Sequence, residues 1–455
     1  MKINMKIKLS ILFTTISVMH YFGQQQNNYT LQQAIDFAVK NSPSQLNSEL
    51  DLQSTVYKRN EVLGLGLPQI NGSFDFKDYL ELPTSIIPLS AFSPLAPPNT
   101  YAAVKFGTQY NATGGVSANQ LLFSADYLFG LKASKELINL SRINVNRSKT
   151  DLVAQVSKAY YGVLVNKERL KLIDANIEKL EKNYSEVSAL NKQGFVELID
   201  VERLEVAKNN LAVEKQKVSE MLKIGENMLK FQMGYKLNEP ILLVDSLVAV
   251  DGLDKELSTN NIDISNKNEY LILNAQQKLY DIDVKRLKWG YLPTIAAYGS
   301  YQYQTMRKEP NIFDNDKNNA IKQWYPIGVI GVQMNINIFD GLQRHFKIQQ
   351  SKITSQKNQN NLKNIELAAQ FEASTAAISY NNALKTLSNN KRNMELAQNV
   401  FNVSTKKYQQ GIGSNIEVIN AQTSMREAEV NYYNALYDVL IYKIDYQKAT
   451  GTLVK

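Results

Sequence analysis

Covalent chemistry needs nucleophiles, proton-transfer groups or metal ligands gathered in one place, and this chain of 455 residues offers few of them. It has no Cys, which removes disulfides, thiolate metal sites and cysteine nucleophiles at once. Only two His occur. His20 lies in an apolar N-terminal stretch. His345 sits beside Arg344 and Lys347 just after an expected strand, where it reads as a surface or interface residue rather than a ligand. There is no Gly-rich phosphate loop and no nucleophile elbow. The residues therefore predict no enzyme, no metal site and no cofactor. What remains is charge: Asp200 and Glu417 each open a helical run, where an acid complements the helix dipole.

The elements that position those acids occur twice. Leu67-Pro68-Gln69-Ile70 opens an alternating segment, and Leu292-Pro293-Thr294-Ile295 opens another 225 positions later. Leu122-Phe123 matches Ile338-Phe339 at an offset of 216, and Gly194 matches Gly411 at 217. Two copies of a strand–strand–long-helix unit are expected, about 29–236 and about 262–453. Strands are predicted at about 69–80, 106–122, 293–304 and 324–339. Each pair alternates: Ile70, Phe74 and Phe76 share one face, as do Tyr301 and Tyr303, and Val332, Met334, Ile336 and Ile338. Their lengths suit tilted membrane strands, with Tyr79, Tyr101, Tyr110, Trp324 and Tyr325 at the ends.

Helix fills the rest. One stripe holds Leu152, Val156, Ala159 and Val163, then Ile173, Ile177, Leu180, Tyr184 and Val187 at coiled-coil spacing. It predicts a helix from about 126 to 192, and its counterpart from 341 to 409 carries Leu387, Met394, Ala397 and Phe401 on one side. At 1.5 Å per residue such a helix extends roughly 100 Å. Shorter runs, 196–231 and 415–450, return after Gly194 and Gly411, and 30–65 and 266–290 precede the strands. Thr30 with Gln33 forms a capping box. Trp289 is expected to pack where helix meets strand. The Pro-rich stretch 80–105 and the polar stretch 311–322 read as loops, and 237–261 as an irregular insert.

Residues 1–23 read as a secretory signal: Lys2, Lys6 and Lys8, then an apolar run too short to remain as a membrane helix. Its removal lowers the net charge from +8 to about +5. The Lys are scattered among Glu and Asn, as on a solvated helix surface, and predict no nucleic-acid partner. An exported chain with four membrane strands cannot close a water-filled barrel alone, and a lipid-exposed edge is not viable, so an oligomer sharing one barrel is expected.

In order along the chain, Tyr29-Thr30-Leu31-Gln32-Gln33-Ala34-Ile35, Asn41-Ser42-Pro43, Leu67-Pro68-Gln69-Ile70, Leu122-Phe123, Ile338-Phe339-Asp340-Gly341 and Tyr408-Gln409-Gln410-Gly411 followed by Ile416-Glu417-Val418-Ile419-Asn420-Ala421-Gln422 resemble the TolC-like outer-membrane efflux proteins. The resemblance covers essentially all of 24–455. It implies an α+β membrane protein, internally duplicated, a homotrimer in outer-membrane lipid in which each subunit gives four strands to one shared barrel. Long helices would form a coiled-coil α-barrel across the periplasm. The implied function is the exit duct of a tripartite efflux pump, working with a periplasmic adaptor and an inner-membrane transporter. A type I protein or peptide secretion channel is the alternative. A non-transporting coiled-coil protein would explain the helices but not the paired strands.

The resemblance also implies site residues at the helix–helix turns formed around Gly194 and Gly411. Asp200 and Tyr408 fall on two positions that link the turns in the family. The third linking position, commonly basic, is Gly413 here. The two positions of an acidic ring fall on Glu417 and Asn420, so a trimer would carry three ring carboxylates rather than six.

Overall fold

Pro43 divides what the sequence reads as one helix from Thr30 to Leu65. Proline lacks an N–H, and its ring disfavours helical backbone at the preceding residue. Ser42 is accordingly extended, and two helices result, α1 (Leu31–Asn41) and α2 (Pro43–Gly64). The computed structural model describes residues 28–91, 97, 99–247, 256–257, 263–316 and 318–454, so the expected signal segment lies outside the described residues. A short strand β1 (Asn28–Tyr29) precedes α1, which opens with the expected reciprocal cap between Thr30 and Gln33. Then come β2 (Gln69–Asp78), β3 (Thr84–Pro88), β4 (Tyr101–Lys105), β5 (Tyr110–Phe123), α3 (Ala125–Lys192) and α4 (Leu198–Met233). After β6 (Leu242–Leu243) follow α5 (Asn268–Trp289), β7 (Thr294–Arg307), β8 (Tyr325–Asn335), α6 (Gln343–Gln409) and α7 (Asn415–Ala449). The helices α3 and α6 are 68 and 67 residues long.

The chain divides into two compact units, one drawn from Met1–Ser42, Gln155–Lys255 and Ala383–Leu440, the other from Pro43–Ala154, Glu256–Asn382 and Ile441–Lys455. The second unit holds an antiparallel sheet in the order β2-β5-β7-β8. The expected pairs β2–β5 and β7–β8 are both present, and β5–β7 joins them. Register sorts the side chains by face, because paired residues of an antiparallel sheet point the same way. Phe74 is level with Gly114, Tyr303 and Pro326; Val116 with Tyr301; Ile70 with Ala118, Gly299 and Ile330. That face is apolar. Ile70, Phe74, Tyr301, Val332 and Met334 on it are exposed, and Ile330 is 91% exposed. The opposite face carries Asn71 with Ser117 and Ser300, Ser73 with Gly115 and Gln302, and Asp75 with Thr113 and Gln304. A sheet in water hides its apolar face; this one hides neither.

Two expectations are corrected here. The predicted last strand ends at Asn335, so Ile336 and Ile338 do not continue the Val332–Met334 face as strand residues. The stretch 80–105 is not merely a loop. β3 and β4 pair antiparallel, Ile86 against Ala103, and form a second hairpin beyond the β2–β5 ladder. The apolar β-formers Ile86, Ile87, Tyr101 and Val104 explain this despite the prolines at the hairpin's ends. Beside the loop expected at 311–322, Arg307 is buried and donates to the carbonyls of Asn311, Asp314 and Lys322.

In the same unit, α5 and α6 are tied by small and polar side chains: Ser351 Oγ to Asp283 Oδ2 at 2.8 Å, Gln277 Nε2 to Ser355 Oγ at 2.6 Å, and Asn358 Nδ2 to the Leu273 carbonyl at 3.0 Å. Ala369, Ala373 and Ala377 on α6 are fully buried, so the neighbouring helix approaches closely. Trp289 stacks edge-on against Phe129 with centroids 5.8 Å apart, yet half its surface stays exposed. His345 is exposed and lies edge-on to Phe346.

The first unit contains the coiled coil. Ile173, Leu180 and Val187 of α3 pack with Val201, Leu204, Leu211 and Val218 of α4, with Ile177 and Tyr184 half-buried beside them. The stripe of α3 read from the sequence is thus its core face. Leu387, Met394, Ala397 and Phe401 of α6 are only half-buried, while Leu396, Val400 and Val403 face outward. Near α1, the buried Tyr160 hydroxyl donates within a cluster of the Tyr29 carbonyl and Asp245 Oδ2, and Asp245 also accepts from the Leu31 amide at 2.8 Å. The parallel pairing of β1 with β6 completes that cluster.

Candidate functional site

A helix commonly ends on a residue with left-handed backbone, which glycine adopts without a Cβ clash. Gly194 has φ of 80° and Gly411 of 75°. Both turns close in the same way. The Gly194 amide donates to Asn191 O and the Phe195 amide to Leu190 O; the Gly411 amide donates to Tyr408 O and the Ile412 amide to Lys407 O. Nothing stands within 4 Å of a Cβ built at Gly194 or Gly411, so these turns need glycine for its φ and not for space. Each turn leaves one large apolar residue outside, Phe195 at 75% and Ile412 at 73% exposure.

Gly413 is different. A Cβ there meets the Lys407 Cβ at 3.0 Å and the Tyr408 amide at 3.2 Å. The loop lies close to the end of α6, so any side chain at this position makes its neighbours give by a few tenths of an ångström.

Of the residues singled out, Asp200 and Tyr408 belong to one partly buried cluster in the first unit. Asp200 stands in the first turn of α4. Its carboxylate lies 3.7 Å from Arg203 Nη1. Tyr408 packs on the α3–α4 core. Burial, with the negative charge of Asp200 second, holds its hydroxyl above the usual tyrosine range. That hydroxyl has no hydrogen-bond partner among the described residues. Asp200 instead accepts from Asn415, whose Nδ2 reaches the Asp200 carbonyl at 3.1 Å and Oδ1 at 3.4 Å. Asn415 is the first residue of α7. Sequence reasoning missed it because an Asn at a helix start reads as an ordinary cap. The signal available was its counterpart, 217 positions earlier, which is Leu198.

Glu417 and Asn420 do not join this cluster. Both are exposed, three residues apart on α7. The Glu417 amide is met by Ser414 through its carbonyl at 3.2 Å and its Oγ at 3.4 Å, which leaves the Glu417 carboxylate free of capping. Asn420 lines a groove of about 510 Å³ with an apolar floor of Leu180, Val206, Ile416 and Ile419. Further along, Arg426 pairs with Glu214 at 3.4 Å, Lys215 with Asp174 at 2.7 Å, and Asn176 Nδ2 donates to the buried Glu429 at 3.0 Å. Burial raises the Glu429 pKa. These links cross between helices and fix their register.

No group of three or more His, Cys, Asp or Glu able to hold a metal occurs among the described residues. No described helix is long and apolar enough to cross a membrane, which says nothing of the strands. The site is therefore a pair of helix turns carrying one buried polar cluster and one exposed acid. It fixes how the two turns meet and leaves one carboxylate exposed beside them.

A family model described as "Outer membrane efflux protein" matches residues 271–452. The outer membrane protein TolC of Salmonella enteritidis is 20% identical over 387 residues, covering 80% of this chain and 76% of TolC. The solved structure of CusC superposes with a TM-score of 0.73 at 14% identity, covering 92% of each chain. The CmeC outer membrane channel of Campylobacter jejuni gives 0.72 at 15% identity, over 94% of this chain and 86% of CmeC. The fold of this chain is therefore that of these outer-membrane channels. The chain is thus similar to outer membrane efflux proteins in its second half, to TolC along most of its length, and to solved outer-membrane channels in fold.

Proposed function

We propose that this chain is one of three identical subunits of an outer-membrane exit duct, the last element of a tripartite efflux pump. The protein lies in the outer membrane, and its helical part extends into the periplasm. Residues 24–455 form one channel subunit, whose halves, about 29–236 and about 262–453, are duplicates. The observation that carries this reading is the four-stranded sheet with an exposed apolar face and two unpaired edges, β2 and β8. Lipid satisfies the face but not the edges, because the hydrocarbon region offers no hydrogen bonds. Three copies make twelve strands, and an even number per chain lets β8 of one copy meet β2 of the next antiparallel. The helices α3, α4, α6 and α7 supply the periplasmic passage, and the turns at Gly194 and Gly411 its narrow end. Asp200 and Tyr408 hold that end together; Glu417 and Asn420 face the passage. The duct performs no covalent chemistry. A periplasmic adaptor and an inner-membrane transporter supply coupling and energy, and small toxic compounds are the cargo. The family's own description as an efflux family supports that cargo over secreted protein.

Deletion of the gene tests this reading. The expected outcome is raised sensitivity to amphiphilic toxic compounds, restored by a plasmid copy. Loss of a secreted protein without altered sensitivity marks the secretion channel instead. A deletion strain indistinguishable from its parent in both respects contradicts the duct.

A further inference from the structure

We propose that Asn415 is the positioning residue that latches the narrow end of the duct closed, a proposal that rests on the duct reading above. A side chain at position 413 would press on Lys407 and Tyr408, and the glycine there has none to donate across the turn. Asn415, two residues on, reaches across to the other turn. One amide nitrogen is shared by the main-chain oxygen of Asp200 and its carboxylate. The main-chain contact fixes where the first turn of α4 lies. The carboxylate contact fixes how the Asp200 side chain points, and Arg203 Nη1 approaches the same oxygen, Oδ1, at 3.7 Å.

Asn415 is only 3% exposed, so water does not compete for the shared amide. The bond joins the helix that follows the first turn to the helix that follows the second. Neither helix start can splay from the other until it breaks. Leu198, at the position corresponding to Asn415, cannot donate a side-chain hydrogen bond, so this latch is not repeated by symmetry within the chain. One such bond per subunit, three in a trimer, adds to the other links that hold the end closed.

Planar-bilayer recordings of the full-length purified protein test this. Asn415→Leu keeps a similar volume and removes the donor; its pores are expected to conduct several-fold more than wild type. A role confined to stability predicts a lower melting temperature with unchanged conductance, which overturns the proposal. A second variant guards against misfolding. The chain has no cysteine, so Asp200→Cys combined with Asn415→Cys creates one addressable pair per subunit. With the cross-link confirmed by mass, oxidised pores are expected to conduct like wild type and the same pores, once reduced, several-fold more. Equal conductance in the two redox states overturns the latch. Wild-type protein that forms no pore at all contradicts the duct reading instead, so the two failures are distinguishable.

Discussion

Ile330→Arg is expected to abolish stable insertion, while Gln302→Arg, three residues along the same ladder on the opposite face, leaves it largely intact. Ile330 lies mid-strand in β8 on the apolar face, level with Gly299, Ala118 and Ile70. Gln302 lies on the polar face, level with Gly115 and Ser73. If the apolar face meets lipid, a cation at mid-depth costs about 2–4 kcal/mol per chain, and three chains carry it together. In the shared barrel proposed above, the polar face lines the interior and is expected to tolerate charge. The heat-modifiable oligomer in outer-membrane fractions is the measurement. Its loss in Ile330→Arg and retention in Gln302→Arg is the predicted pair. Equal yields of both variants contradict the assignment of faces.

Glu417→Ala is expected to remove most of the channel's preference for cations, and Asn420→Ala to leave it nearly unchanged. Like charges gathered at a constriction focus a negative potential that concentrates cations. Glu417 is exposed, with its amide met by Ser414. Loss of the carboxylate therefore costs the helix little, about 0.3–1 kcal/mol from the dipole. Asn420→Asp restores a second acid one turn along and is expected to strengthen both the selectivity and the block by multivalent cations. Reversal potentials under a salt gradient report all three variants. Selectivity that is the same in wild type and Glu417→Ala shows that Glu417 only starts a helix.

Much of this architecture is legible in the sequence because its signals are local and repeated. The β2–β5 and β7–β8 pairs follow from period-two alternation, and the core face of α3 from heptad spacing. Gly194 and Gly411 mark the turns because helices commonly end on a left-handed residue, which both glycines adopt. The parts that were not legible depend on neighbours far away in sequence. The β3–β4 hairpin was hidden by its prolines. The half-buried state of Leu387 and Met394 depends on what surrounds α6. The site divides in the same way. Asp200 and Glu417 occupy matching positions 217 residues apart and look alike in sequence. One is bonded to Asn415 and the other faces outward, a difference made by contact between segments more than 200 residues apart. Nothing at Asn415 alone announces that bond.

The central claim is that three copies share one barrel, and the mass of the detergent-extracted particle tests it most directly. With detergent subtracted, the protein mass is predicted to be three times the chain mass, falling to that of one chain after heating. A stable particle of one chain, soluble in detergent and unchanged by heating, contradicts the shared barrel, because four strands with open edges cannot persist alone in lipid.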